Sequence, residues 1–172
     1  MINRYSGFSL LEVLVTVLLT TVGILGMVAM QGRAIQYSQD SVERTHAVIL
    51  ANELLEIVRA TPTSQNNDSS GSPFFDSLPD STTNGCLTID NSDLVSKQVG
   101  CWAARVRELL PGADSVSGRF VSCISTTPGT CNSNGAAIEV QLAWNASGEG
   151  CLDSEADELD DSLCIYRIRT QI

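Results

Sequence analysis

From Val13 to Met30 the chain runs for eighteen consecutive residues without a charge, and Glu12 stands directly before them. At about 1.5 Å of rise per residue, a helix of that length nearly spans a hydrocarbon core of about 30 Å. Arg4 lies before the run and Arg33 after it. A secretory signal peptide has a shorter apolar core followed by a small-x-small cleavage site. Here only Gly26-Met27-Val28-Ala29 is loosely similar to such a site. An ordinary signal anchor explains the hydrophobicity and Arg4, but it leaves Glu12 unexplained. A carboxylate inside a membrane segment costs several kcal/mol, which makes Glu12 a functional residue by default.

The leader before the run is Met-Ile-Asn-Arg-Tyr-Ser-Gly, short and polar, with Arg4 its only charge. Gly7-Phe8-Ser9-Leu10-Leu11-Glu12, followed by the apolar run, resembles the class III leader of type IV prepilins and pseudopilins. The resemblance implies that a prepilin peptidase cuts between Gly7 and Phe8 and methylates the new N-terminus at Phe8. It also implies an assembly role for Glu12. Electrostatics agrees with that role. After cleavage Phe8 carries a positive amine in or beside the bilayer, and Glu12 of a neighbouring subunit can neutralise it. Unlike charges attract strongly in low dielectric, and either alone is costly there. The pair therefore favours side-by-side docking at a fixed axial offset. The simpler alternative places Glu12 at headgroup level, where it only snorkels.

Beyond the run, residues 33–59 read as a continuation of the same helix. No proline occurs before Pro62, and Thr61 ahead of it favours a stop there. Ala47, Leu50, Ala51, Leu54 and Val58 form an apolar stripe at helical spacing, which Val42 and Ile35 are expected to extend backwards. Asp40, Arg44, Asn52, Glu56 and Arg59 occupy other faces. One half of this helix is thus apolar all round and suits lipid or the core of an assembly. The other half is amphipathic and suits a globular domain. Gly23, Gly26 and Gly32 either weaken the helix locally, by about 1 kcal/mol each, or allow close helix packing. His46 falls on the flank of the amphipathic half and has no catalytic role.

The formal net charge of −10 excludes a nucleic-acid role, because phosphate binding needs a basic face. One histidine excludes sites built on two or more. Six cysteines, all after the apolar run and none in a CxxC pair, point to disulfides in an oxidising compartment rather than to zinc. Six cysteines permit 15 connectivities. Pairing between sequence neighbours is the expectation: Cys86 with Cys101, Cys123 with Cys131, and Cys151 with Cys164. No metal and no cofactor is expected.

The rest of the chain reads as a small head. Residues 61–83 are dense in turn formers, and Phe74 and Phe75 are expected to tuck back onto the domain. Trp102 to Leu110 has apolar residues at helical spacing and ends at Pro111-Gly112, which predicts a short amphipathic helix. Strands are expected over 118–125, 137–144 and 164–171. In the second, Ile138, Val140, Leu142 and Trp144 share one face, with Glu139 and Gln141 opposite. An antiparallel sheet packed on the amphipathic helix buries one face of each strand. Residues 149–161 carry seven acids in thirteen positions, with Asp153, Glu155 and Asp157 alternating as in calcium loops. Glu158 replaces the glycine of an EF-hand, however, and Cys164 replaces its bidentate glutamate. A solvated acidic loop is the better reading. The Asn145-Ala-Ser147 sequon carries no weight. No nucleophile motif or phosphate loop appears, and no enzyme activity is expected. The expected fold is α+β and similar to the pilin fold, a long N-terminal helix on a small antiparallel, disulfide-stapled sheet. Its parts are a cleaved leader (1–7), a membrane or filament-core half-helix (8–32), an amphipathic half-helix (33–60) and a head (61–172).

The stretches Arg33 to Thr45, Leu50 to Arg59 and Val106 to Gly112 resemble the PilV group of minor pilins. That resemblance implies a low-abundance subunit anchored in the inner membrane with a periplasmic head, then incorporated into an extracellular pilus. It implies other minor pilins, the major pilin, the inner-membrane assembly platform and a tip adhesin as partners, and roles in twitching motility and attachment. A minor pseudopilin of a type II secretion system shares the leader, helix and sheet. Readings of another class are a membrane-anchored periplasmic enzyme and a secreted binding module. The missing catalytic constellation opposes the first.

Overall fold

The computed structural model describes residues 7, 9–61, 73–80, 86, 94–132, 135–147, 150–151 and 162–171. It divides into two compact units, Met1–Ser38 and Gln39–Ile172. One helix, α1 (Leu10–Ala60, 51 residues), contributes to both. Its first turn forms on the Ser9 carbonyl, which accepts from the backbone N–H groups of Glu12 at 3.0 Å and Val13 at 3.3 Å. Its end is held by Thr61, whose N–H donates to Val58 O at 3.2 Å and whose Oγ1 donates to Ile57 O at 2.7 Å. Pro62 then makes continuation unfavourable.

In the second unit, α1 buries Glu43, Ala47, Leu50, Ala51, Leu54, Leu55 and Val58. These recur every three to four residues, the period of a single helix face. Helix α2 (Leu94–Leu109) buries Val99, Gly100, Trp102, Ala103 and Val106 against them. It starts well before Trp102, where the sequence reading began it. Val95 and Val99 carry the apolar stripe ahead of Trp102 at helical spacing. After Pro111 the chain turns at Gly112, with φ 68°. A Cβ there would stand 2.3 Å from the Asn145 Nδ2, so both backbone and space require glycine.

Four antiparallel strands follow: β1 (Val121–Thr127), β2 (Thr130–Cys131), β3 (Ala137–Asn145) and β4 (Leu163–Gln171), in the order β2-β1-β3-β4. β3 and β4 pair along their whole length, from Ala137↔Gln171 to Asn145↔Leu163. A 3₁₀ turn, Ser117–Arg119, takes up the first residues of the expected strand 118–125 and moves its start to Val121. Ile138, Val140, Leu142 and Trp144 join the core with Trp102 and the α1 stripe. The opposite face of β3 is covered too, and Glu139 is only 3% exposed. β3 therefore departs from the expectation of one buried face per strand. Its central position places β1 and β4 on both sides, and their outward side chains close over it.

Ile35 and Val42 also depart from expectation. They do not continue the core stripe of α1; they are 59% and 51% exposed. At about 100° per residue, Val42 lies about 140° from Ala47 around the helix axis. The buried position one turn before Ala47 is instead Glu43.

Three disulfides staple the head: Cys86–Cys101, Cys123–Cys131 and Cys151–Cys164, with Cα separations of 5.5, 5.6 and 5.4 Å. Phe74 and Phe75 pack onto the core. The Phe75 backbone exchanges hydrogen bonds with Ser122, and its ring lies 5.7 Å from that of Trp102. Trp102 itself is fully buried and donates from Nε1 to Leu50 O at 2.9 Å, joining α2 to α1. Trp102→Ala is expected to destabilise the head by about 3–5 kcal/mol, a large share of a domain's stability. Urea unfolding of the full chain in detergent, followed by the remaining Trp144, measures it, and an unchanged midpoint would contradict it. The long N-terminal helix, small antiparallel sheet and three disulfides make an α+β, pilin-like fold.

Candidate functional site

The candidate site is linear and lies in the first unit. Gly7 is exposed and precedes the helix. Phe8 lies outside the described residues. Glu12 is exposed in the first turn of α1. There the helix macrodipole favours a carboxylate, by about 0.3–1 kcal/mol. The large apolar side chains from Leu10 to Met30 are 44–84% exposed. A helix apolar on every side has no stable place in water; it belongs in lipid or in a packed assembly. The threonine hydroxyls within the segment are satisfied locally. The hydroxyls of Thr16, Thr20 and Thr21 donate to the carbonyls of Val13, Val17 and Leu18 at 2.9, 2.9 and 2.8 Å. They therefore present no unmet hydrogen bond to an apolar surrounding.

The cysteines lie in the other unit and close short loops between sequence neighbours. His46 is half-buried on α1. Among the described residues, no group of three or more His, Cys, Asp or Glu side chains could hold a metal ion. Most of the acidic run (149, 152–161), and with it the calcium question, lies outside the described residues. Both ends of the sequon are engaged within the fold. Asn145 Nδ2 donates to Ser115 Oγ at 3.0 Å, and Ser147 Oγ donates to Glu43 Oε1.

Sequence reasoning missed a buried carboxylate that braces the head. Glu139 accepts from Ser125 Oγ at 3.0 Å and from the Gly129 N–H at 2.8 Å, and Arg167 Nε lies 3.3 Å away. Arg169 donates to the Ser125 and Thr126 carbonyls at 3.2 and 2.6 Å. A buried charge persists only when paired and hydrogen-bonded, and these contacts meet that need while fixing the β1–β2 turn. Two arginines on β4 and an acid on β3 were the available signal, but the strand register that joins them is not written in the sequence.

Residues 2–28 match a family model described as the prokaryotic N-terminal methylation motif. The match supports a class III prepilin leader, and with it a protein of the type IV pilin or pseudopilin kind. A motif of this kind implies processing by a prepilin peptidase and assembly with other pilins. Together with the long apolar helix it points to membrane anchoring. No curated protein and no solved structure matches the chain.

Proposed function

We propose that this protein is a minor pilin of a type IV pilus, PilV-like, without enzymatic activity. It is cut between Gly7 and Phe8, methylated at Phe8, held in the inner membrane with a periplasmic head, and incorporated into the filament through α1. With other minor pilins it primes assembly, sits near the tip beside an adhesin, and supports attachment and twitching motility. The observation that carries this reading is the exposed, charge-free segment of α1 that follows Glu12, behind a leader matching the methylation motif. Glu12 neutralises the Phe8 amine of an adjacent subunit, so the charge that is costly in lipid becomes favourable on docking. The resemblance of the Arg33 to Thr45 and Leu50 to Arg59 stretches to the PilV group is what favours a pilus over a pseudopilus, since both assemble through the same helix.

A clean deletion strain tests the assignment. Sheared surface pili should be lost or reduced, while a type II secretion substrate is exported normally. Normal pili with failed secretion would assign the chain to the minor pseudopilins instead.

A further inference from the structure

The three disulfides of the head are not equally open to chemistry. In two of them one cysteine sits inside the fold: Cys123 is 8% exposed and Cys164 only 2%. Cys164 also belongs to the core cluster. A thiolate released at either place would be a buried charge, which is costly. Cys123 moreover lies directly across from Glu139 in the β1–β3 register. In the Cys86–Cys101 bridge both residues are half-buried, and neither belongs to the core cluster. Opening that bridge leaves the cluster whole.

The surroundings of this bridge favour one kind of reagent. Cys86 and Cys101 line a cleft of about 220 Å³ with Glu53 and Ile57 of α1 and Leu94, Lys97 and Arg105 of α2. Lys97 and Arg105 stand four residues before and after Cys101. All three therefore share one face of α2, with successive Cβ atoms about 5–6 Å apart. Arg105 also pairs with Glu53 across the cleft. Two cations meet one carboxylate, so the cleft carries a positive surplus on a chain whose formal net charge is −10. A cation beside a cysteine stabilises its thiolate, and the better stabilised sulfur leaves faster in thiol–disulfide exchange. The same charge attracts an anionic reagent that the rest of the chain repels. The cleft is smaller than the roughly 300–1,000 Å³ of a pocket for drug-sized ligands, which suits it to a small molecule.

We propose that Cys86–Cys101 is a thiol-exchange site that takes a small anionic thiol and holds it on Cys86 as a mixed disulfide. The incoming thiolate sulfur attacks Cys86 Sγ and forms a new S–S bond there. The Cys86–Cys101 bond breaks, and its electron pair leaves on Cys101 Sγ as a thiolate between Lys97 and Arg105. A second thiolate of the same kind can then attack the mixed disulfide at the sulfur of the bound thiol. That step releases Cys86 as a thiolate, so the two small thiols are oxidised to a disulfide and the bridge is reduced by two electrons. The site stands on the geometry of the head and does not depend on the subunit role proposed above.

The test uses the full-length oxidised chain in detergent and two thiols of similar size and opposite charge, 2-mercaptoethanesulfonate and cysteamine, with rates compared per thiolate. Exchange is stopped with acid, free thiols are alkylated, and peptide mass mapping locates the adduct and the released sulfur. With the anionic thiol, the adduct is expected at Cys86 and the free thiol at Cys101, about tenfold faster than opening of either other bridge. Cysteamine should show a smaller preference for this bridge. Lys97→Gln is expected to lower the ratio of the anionic to the cationic rate severalfold. High salt should lower the same ratio on the unaltered chain, a readout that needs no substitution. First opening of Cys123–Cys131 or Cys151–Cys164, or equal rates for the two thiols at Cys86–Cys101, would overturn the proposal. An adduct on Cys101 with Cys86 released would overturn it too, since Lys97 and Arg105 would then not select the leaving sulfur.

Discussion

Gly7→Val is expected to leave the chain uncut and unmethylated, seven residues longer than the mature protein, and excluded from filaments. The structure makes this substitution a clean one. Gly7 is exposed, lies ahead of the first turn of α1, and has no atom within 4 Å of an added Cβ. A valine there meets no clash, and its backbone needs no left-handed conformation. Neither the helix nor the head is expected to change. A loss of processing would therefore report what the peptidase requires at the position before the cut, not a folding defect. Intact-mass measurement of the membrane fraction reads the result directly. The variant should keep Met1 or its formylated form and lack a methylated amine at Phe8. A mature-sized product from this variant would refute the leader assignment. The effect reaches assembly as well. Without cleavage there is no amine at Phe8, and Glu12 of the neighbour has no charge to neutralise.

The leader motif was legible in the sequence because it is written in consecutive residues. A polar leader, Gly7, Glu12 and an uncharged run need no knowledge of tertiary structure. The same holds for the regular elements. The α1 stripe from Ala47 to Val58 and the alternation in β3 and β4 follow from helical and strand periods alone. What failed required knowing which segments meet. β2 has two residues and is defined by its pairing with β1, Cys131 against Ser125 and Thr130 against Thr127. Glu139 reads as an outward-facing acid until strand order places β1 and β4 on either side of it. Val42 and Ile35 are apolar, which by itself suggests the core stripe. Helix rotation puts them on the far side, and the buried position went to Glu43, a residue that composition would assign to water.

Glu12→Ala should separate two properties that a simple anchor would move together. Membrane insertion is expected to hold or improve. The substitution removes a carboxylate that costs several kcal/mol in hydrocarbon, and alanine is the best helix former. The first turn loses only the favourable dipole interaction of about 0.3–1 kcal/mol. Assembly is expected to move the other way. Removing one partner of a buried ion pair costs about 3–5 kcal/mol, because the other charge is left unpaired. At about 1.4 kcal/mol per tenfold change, incorporation into filaments falls by roughly 100- to 4000-fold. Glu12→Gln keeps the side chain's shape and removes its charge, so it should fail in the same way, which assigns the effect to charge and not to packing. Carbonate extraction of membranes measures the first property, and quantification of the chain in sheared filaments measures the second. A Glu12 that only reaches for headgroups predicts no loss of assembly in either variant. Normal incorporation of both would remove its proposed role and leave the helix as an apolar anchor.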